Sequence, residues 1–134
     1  MKVILLDTDI VSYAMSGRYP QLREPFKQHS GNLAISSITY QELIFGCENG
    51  GMTERCRQRV NAIIQGFSIL AFDAKAAEIS AGIEVNLKQQ GMPIGQIDTM
   101  IAGHTLSVEG VLVTKNDKHF KRVRGLTIEQ WATF

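Results

Sequence analysis

Three acidic residues spread over most of the chain, Asp7, Glu42 and Asp98, stand among apolar neighbours, where a carboxylate is a candidate for holding a cation. Asp7 directly follows the all-apolar run at 3–6, which reads as a strand covered on both faces. Glu42 shares a helical face with Ile38, Phe45 and Gly46, a largely apolar face expected to turn inward. Asp98 has Ile101 and Ala102 three and four residues on, which places it on the inner side of its own helix. Taking a carboxylate out of water is costly unless it is paired or bound to a cation. Each acid also has a purely structural reading. Asp98 by itself reads as a helix N-cap favoured by the helix dipole, and Glu42 by itself leaves both readings open.

Together the acids say more. Carboxylates gathered at one end of a sheet, with no matching Arg or Lys in the same segments, repel one another and call for a counter-charge. Oxygen donors without nearby His or Cys favour Mg²⁺ or Mn²⁺ over Zn²⁺. Such a centre activates water and steadies charge on a phosphate, as in metal-dependent phosphodiester hydrolysis.

These residues need elements to carry them. The run at 3–6 leads into a helix around 10–16 that Gly17 breaks. Pro25, in the next helical stretch, implies a kink or a late start. Residues 33–35 form a second strand candidate, and Ser36 and Ser37 offer caps for a helix reaching Gly50-Gly51. Thr53 can cap a further helix to about Gln65. A third strand lies in "FSILAFD", whose Asp73 suits the cap of an Ala-rich helix to Gln90. A helix over about 98–109 precedes a fourth strand, "GVLVT", and a short fifth lies near 126–128. Strands alternating with helices predict an α/β sandwich on a parallel central sheet of four to five strands. In such sheets the crevice lies beyond the carboxyl ends of the strands, which puts Asp7 and Thr114 on one rim.

The whole-chain numbers exclude several classes. With 134 residues, 44% hydrophobic and 20% charged, a single compact domain over 1–134 is expected. Fourteen basic against thirteen acidic residues give no global argument for nucleic acid. The local argument is "KNDKHFKRVR", where Lys115, Lys118, Lys121, Arg122 and Arg124 begin at the proposed rim and suit a phosphate backbone as well as they suit a solvated face. Arg55, Arg57 and Arg59 add a second basic segment. Cys47 and Cys56, nine apart and in no metal-binding spacing, are expected as free thiols in a reducing cytosol. Four apolar residues before Asp7 are too few for a signal peptide or a membrane span, so a cytoplasmic protein with no membrane partner is expected. "LIFGC" and Met52 belong either to the core or to a dimer face.

"LLDTDIVSYAM", "ISSITYQELIFGCENG" and "GMPIGQIDTMIAGHTLSVEGVLVTKNDKHFKRVRGLTIEQW" resemble, in order and spacing, the PIN-domain ribonuclease toxins of the VapC type, from Leu5 to Trp131. The resemblance implies a three-layer α/β/α sandwich and an Mg²⁺- or Mn²⁺-dependent endoribonuclease. It further implies a homodimer silenced by a VapB-type antitoxin, with DNA reached only through the antitoxin. tRNA is the implied substrate, initiator tRNA in its anticodon loop among close relatives. By position, Asp7 and Asp98 are the metal-binding aspartates, Glu42 the third acid, Thr8 and Thr114 the neighbouring hydroxyls, and Asn116 the residue at an Asn or Asp position.

The chain departs from the pattern twice. Asp9 stands where Asn or Ser is usual, and reads as the N-cap of the following helix rather than as a further ligand. His119 stands where an acid is frequent, with Asp117 as a substitute. His119 could perturb metal affinity or approach the phosphate, although an exposed loop histidine is more often a solvated surface residue, and His104 reads as a hydrogen-bonded packing residue. Two other classes compete with the nuclease. A receiver-type phosphoacceptor domain would need Asp73 exposed in a loop, and a non-catalytic binding module would show no metal-dependent RNA cleavage.

Overall fold

The computed structural model describes residues 2–51 and 53–131. Met52 lies outside them. Its strands are β1 (Ile4–Leu6), β2 (Leu33–Ser36), β3 (Ser68–Leu70), β4 (Val111–Val113) and β5 (Thr127–Glu129). Its helices are α1 (Thr8–Ser16), α2 (Arg23–Gln28), α3 (Ser37–Asn49), α4 (Thr53–Ile64), α5 (Ala74–Gln89), α6 (Gln96–Ser107) and α7 (Asp117–Phe120). Pro25 falls in the first turn of α2, where its missing N–H has no intrahelical partner to lose, so the helix starts late rather than kinking.

All five strands are parallel, in the order β3-β2-β1-β4-β5. In register, Leu5 lies beside both Ala34 and Leu112, and Leu112 beside Ile128. Strand side chains alternate between faces, so a fully covered strand feeds two cores. Ile4 and Leu6 pack with Ile10, Val11, Leu43 and Val60 on the α1, α3 and α4 side. Leu5 packs with Leu87, Ile101, Ala102 and Phe120 on the α5, α6 and α7 side. The result is the expected three-layer α/β/α sandwich. No helix among the described residues is long and apolar enough to cross a membrane.

Order 3-2-1-4-5 has a consequence for function. From β1 the chain moves outward through β2 and β3, then returns to the other side of β1 for β4. The connections therefore diverge between β1 and β4, and the crevice of an open parallel sheet opens there, at the carboxyl ends.

Close packing of α5 on α6 is set by small residues. A Cβ added to Gly103 would stand 2.8 Å from the Ser80 backbone and 2.0 Å from its hydroxyl. Backbone cannot swing aside as a side-chain tip can. Gly103→Ala is expected to lower stability by about 1–3 kcal/mol, as overpacking does; a urea midpoint equal to that of the parent would contradict it.

The expectation of free thiols is overturned. Cys47 and Cys56 form a disulfide, with Cα atoms 5.3 Å apart. The Gly50-Gly51 pair, with Gly51 at φ +80°, ends α3 and lets α4 fold back beside it, so a spacing without any motif becomes bonding distance. Closing so short a loop restricts the unfolded chain by about 2–3 kcal/mol. Reduction is expected to lower stability by that amount, read as a shifted urea midpoint with and without a phosphine reductant.

Candidate active site

Asp7 leaves β1 at the point where the two halves of the sheet diverge. Its backbone N–H still donates to Val113 O at 3.1 Å, completing the β1–β4 ladder, while its carboxylate accepts from the Ile10 N–H at 2.9 Å. One residue thus ends the strand and caps α1. Asp9, expected as that cap, instead lies exposed in the first turn of the helix. The other Asp7 oxygen accepts from the Thr114 hydroxyl, which comes from the end of β4.

Burial governs the electrostatics. Asp7 is 7% exposed, and its pKa is raised from 3.8 to about 6. Desolvation is the main cause; the Thr114 and Ile10 hydrogen bonds oppose it, and the charges of Asp9 and Asp98 add to it.

The remaining acids arrive from the helices. Gly95, at φ +96°, starts α6 without a side-chain cap, so Asp98 is not the cap that its sequence position suggests. It stands in the first turn, half-buried, where one carboxylate oxygen accepts from Asn116 Nδ2 at 3.3 Å and lies 3.2 Å from His119 Nδ1. Glu42, half-buried on α3, accepts from the Thr8 hydroxyl, which lies 3.3 Å from the hydroxyl of Thr39. Its helical face is less inward than its composition implies, because Phe45 is 64% exposed.

Asp7, Asp9, Glu42, Asp98 and Asn116 line one cavity of about 160 Å³. Thr114 does not line it. It is 1% exposed behind Asp7, and its oxygen also accepts from the Asn116 N–H at 2.9 Å. Its hydroxyl holds the carboxylate rather than facing the cavity.

His119 keeps much of its side chain in solvent, as expected of a loop histidine, and its ring also reaches Asp98. It is held 3.0 Å from Asn116 Nδ2 as well as by Asp98, one turn into α7. The available signal was the three-residue spacing from Asn116, which puts both side chains on one side of a short helix. His104 is the packing residue expected: buried, 2.8 Å from Ser36 Oγ, edge-on to Phe72, with its pKa lowered by desolvation against a smaller opposing effect of Asp73. Asp117 pairs with Lys121 at 3.2 Å and does not line the cavity.

Four carboxylates line this cavity and no Lys or Arg does, a donor set suited to a hard dication. Among the described residues no three His, Cys, Asp or Glu side chains close into a cage of their own. Mg²⁺ is commonly held by one or two carboxylates and retains several waters, whereas structural Zn²⁺ needs a closed set. The donor chemistry therefore fits Mg²⁺ or Mn²⁺, which Asp7 and Asp98 could hold with Glu42 nearby.

The basic stretch divides. Lys115 lies at the rim with its ammonium 4.9 Å above the Tyr13 ring, and its pKa is raised mainly by a hydrogen bond to Tyr13. Lys121 is engaged by Asp117, and Arg122 donates to Pro93 O at 3.3 Å. Lys118 and Arg124 are exposed. Asp73 accepts from the Ala76 N–H at 3.0 Å as the N-cap of α5, not the free loop acid that a phosphoacceptor domain requires.

Comparison with known proteins agrees with this geometry. The PIN domain family matches residues 4–126. A Shigella flexneri protein named tRNA(fMet)-specific endonuclease VapC is 37% identical over 98% of this chain and 100% of its own length. Ribonuclease VapC2 of Haemophilus influenzae is 35% identical over 96% and 97%. The crystal structure of DNA-bound VapBC from Salmonella typhimurium superimposes with a TM-score of 0.94 at 36% identity, covering 98% of this chain and all of that one. With a carboxylate cavity at the switch point of a matching sheet, and similarity along nearly its whole length, the chain belongs to the PIN-domain family of VapC-type ribonuclease toxins.

Proposed function

We propose that this protein is an Mg²⁺- or Mn²⁺-dependent endoribonuclease that hydrolyses tRNA, initiator tRNA being the favoured substrate, and that a VapB-type antitoxin restrains it. The observation that carries the chemistry is the cavity where Asp7, Glu42 and Asp98, distant in sequence, come together without a basic residue among them. The Shigella flexneri relative's name supports the substrate, and the VapBC structure from Salmonella typhimurium supports the partner.

Asp7 and Asp98 would hold the ion, with Glu42 acting on it directly or through water. A bound dication supplies charge stabilisation at the phosphate and lowers the pKa of water. The chain's own residues do the rest. Thr114 fixes one oxygen of Asp7 while the α1 N-terminus fixes the other. Asn116 and His119 fix Asp98, and Asn116 also faces the cavity, where its amide can meet a phosphate oxygen. Lys115, Lys118, Lys121, Arg122 and Arg124 would meet the RNA backbone beyond the rim. The active form is a homodimer, and the work is done in the cytoplasm alongside the RNA. Glutathione there opposes the Cys47–Cys56 bond, so thiol counting on freshly lysed cells reports which state the working protein holds.

Incubation of the purified chain with total tRNA tests this reading. Cleavage with Mg²⁺ or Mn²⁺, loss with EDTA, recovery on adding the ion back, and products ending in 5′-phosphate and 3′-hydroxyl are expected. Cleavage that persists in EDTA would remove the metal from the reading, and intact tRNA in every condition would remove the activity.

A further inference from the structure

Beside the carboxylate cavity runs a larger groove, about 500 Å³, bounded by α1, α3 and α4. Thr8 and Glu42, hydrogen-bonded to each other, line both spaces, so the groove adjoins the site along this pair. Met15 and Leu43 give it apolar walls, and Arg55 and Arg59 supply its positive charge. These two arginines are four apart on α4 and so lie on one helical face. Neither has an ion-pair or hydrogen-bond partner among the described residues, whereas Arg57, on the other side of the helix, pairs with Glu48 at 3.1 Å. Two exposed guanidiniums on one helical face, neither ion-paired although Glu42 lines the same groove, suit an anion arriving from outside. The Cys47–Cys56 disulfide joins α3 to α4 along this groove, so in the oxidised protein its two walls are held together before anything binds.

We propose that this groove receives the RNA strand on one side of the scissile phosphate, Arg55 and Arg59 holding the next backbone phosphate and the apolar wall taking a base. The proposal rests on the nuclease reading. A strand with one phosphate at the carboxylates must continue somewhere, and this space carries two unpaired cations and shares residues with the cavity. An acidic protein segment would gain from the same charge, but the apolar wall beside it also suits the flat face of a base next to its phosphate. Guanidinium at this position separates repulsion from attraction: the catalytic cavity excludes the flanking phosphate, and the groove accepts it.

The test measures binding separately from cleavage. A fluorescein-labelled anticodon stem-loop RNA is titrated with the full chain carrying Asp98→Asn, with Arg55→Gln and Arg59→Gln added. Kd is expected to rise about tenfold or more, and the slope of log Kd against log salt to fall by roughly 0.7 for each phosphate no longer neutralised. The charge-matched control, Lys75→Gln with Lys88→Gln on α5 across the sheet, is expected to change Kd less than twofold. Equal weakening by both pairs, or by neither, overturns the proposal. So does unchanged RNA binding with reduced affinity for an antitoxin, which assigns the groove to protein. Should the arginine variant lose its fold by circular dichroism, photocrosslinking of 4-thiouridine RNA to the unsubstituted chain decides: adducts on residues 53–60 support the proposal and their absence overturns it. Cleavage of tRNA by the wild-type chain, followed in parallel, reports on the nuclease reading alone.

Discussion

Replacing Asp7 by Asn is expected to abolish tRNA cleavage while making the folded protein more stable at pH 7 when no divalent ion is added. Losing a residue that merely orients a metal ligand costs roughly 10–100-fold, and loss of the ligand itself is expected to exceed that. The stability gain follows from the raised pKa. Between pH 3.8 and about 6 the folded state keeps a proton on Asp7 that the unfolded chain has lost, so stability falls as pH rises through this window and the penalty is complete above it. The gap corresponds to about 3 kcal/mol at most. Asn retains an oxygen for the Ile10 N–H and carries no charge to desolvate. Urea unfolding from pH 4 to 8 should show the parent losing stability with rising pH and the variant staying nearly flat across that window. Cleavage near the parent rate by Asp7→Asn would sink the metal-ligand assignment. A variant less stable than the parent at pH 7 would show that the buried charge is compensated.

Asp98→Asn is expected to remove cleavage to a similar degree with a different signature. Asp98 is half-buried and keeps its hydrogen-bonding geometry as an amide, so its stability should stay within about 0.5 kcal/mol of the parent. What it should lose is the response to the ion. For the parent, Mg²⁺ or Mn²⁺ at about a hundred times Kd would add about 2.7 kcal/mol of stability. The variant's melting temperature should barely move over the same titration. His119→Ala, which removes a partner shared by Asp98 and Asn116 but no proposed ligand, should weaken the ion response by an intermediate amount, roughly 10–100-fold in affinity. An undiminished ion-induced shift in Asp98→Asn would place the ion elsewhere.

Both predictions concern residues visible in the sequence, but their roles divide unevenly between sequence and structure. Asp7 was legible because a short all-apolar strand ending on an acid is a local pattern. Which aspartate caps α1 was not. Asp7 and Asp9 are equally good caps by type, and the choice depends on where the β1–β4 ladder ends, a non-local hydrogen bond from Asp7 to Val113. Thr114 was found as a site residue, yet its position behind the carboxylate depends on the register of β1 against β4. Whether His119 joins the site was left open by the sequence, because its neighbour Asp98 is 21 residues away and is brought near only by the placement of α7 beside α6.

Sequence by itself determined the alternation of strands and helices, the parallel sheet, the two apolar faces and the identity of the acids. These follow from periodicity and capping, which act over a few residues. The tertiary structure decided the strand order, and with it the switch point between β1 and β4 where Asp7, Glu42, Asp98 and Asn116 share one cavity. It also decided that Cys47 meets Cys56, and that Arg55 and Arg59 line a groove adjoining the site. Each of these is a distance between side chains on separate elements, and such distances are set by how whole helices pack, which no local pattern encodes.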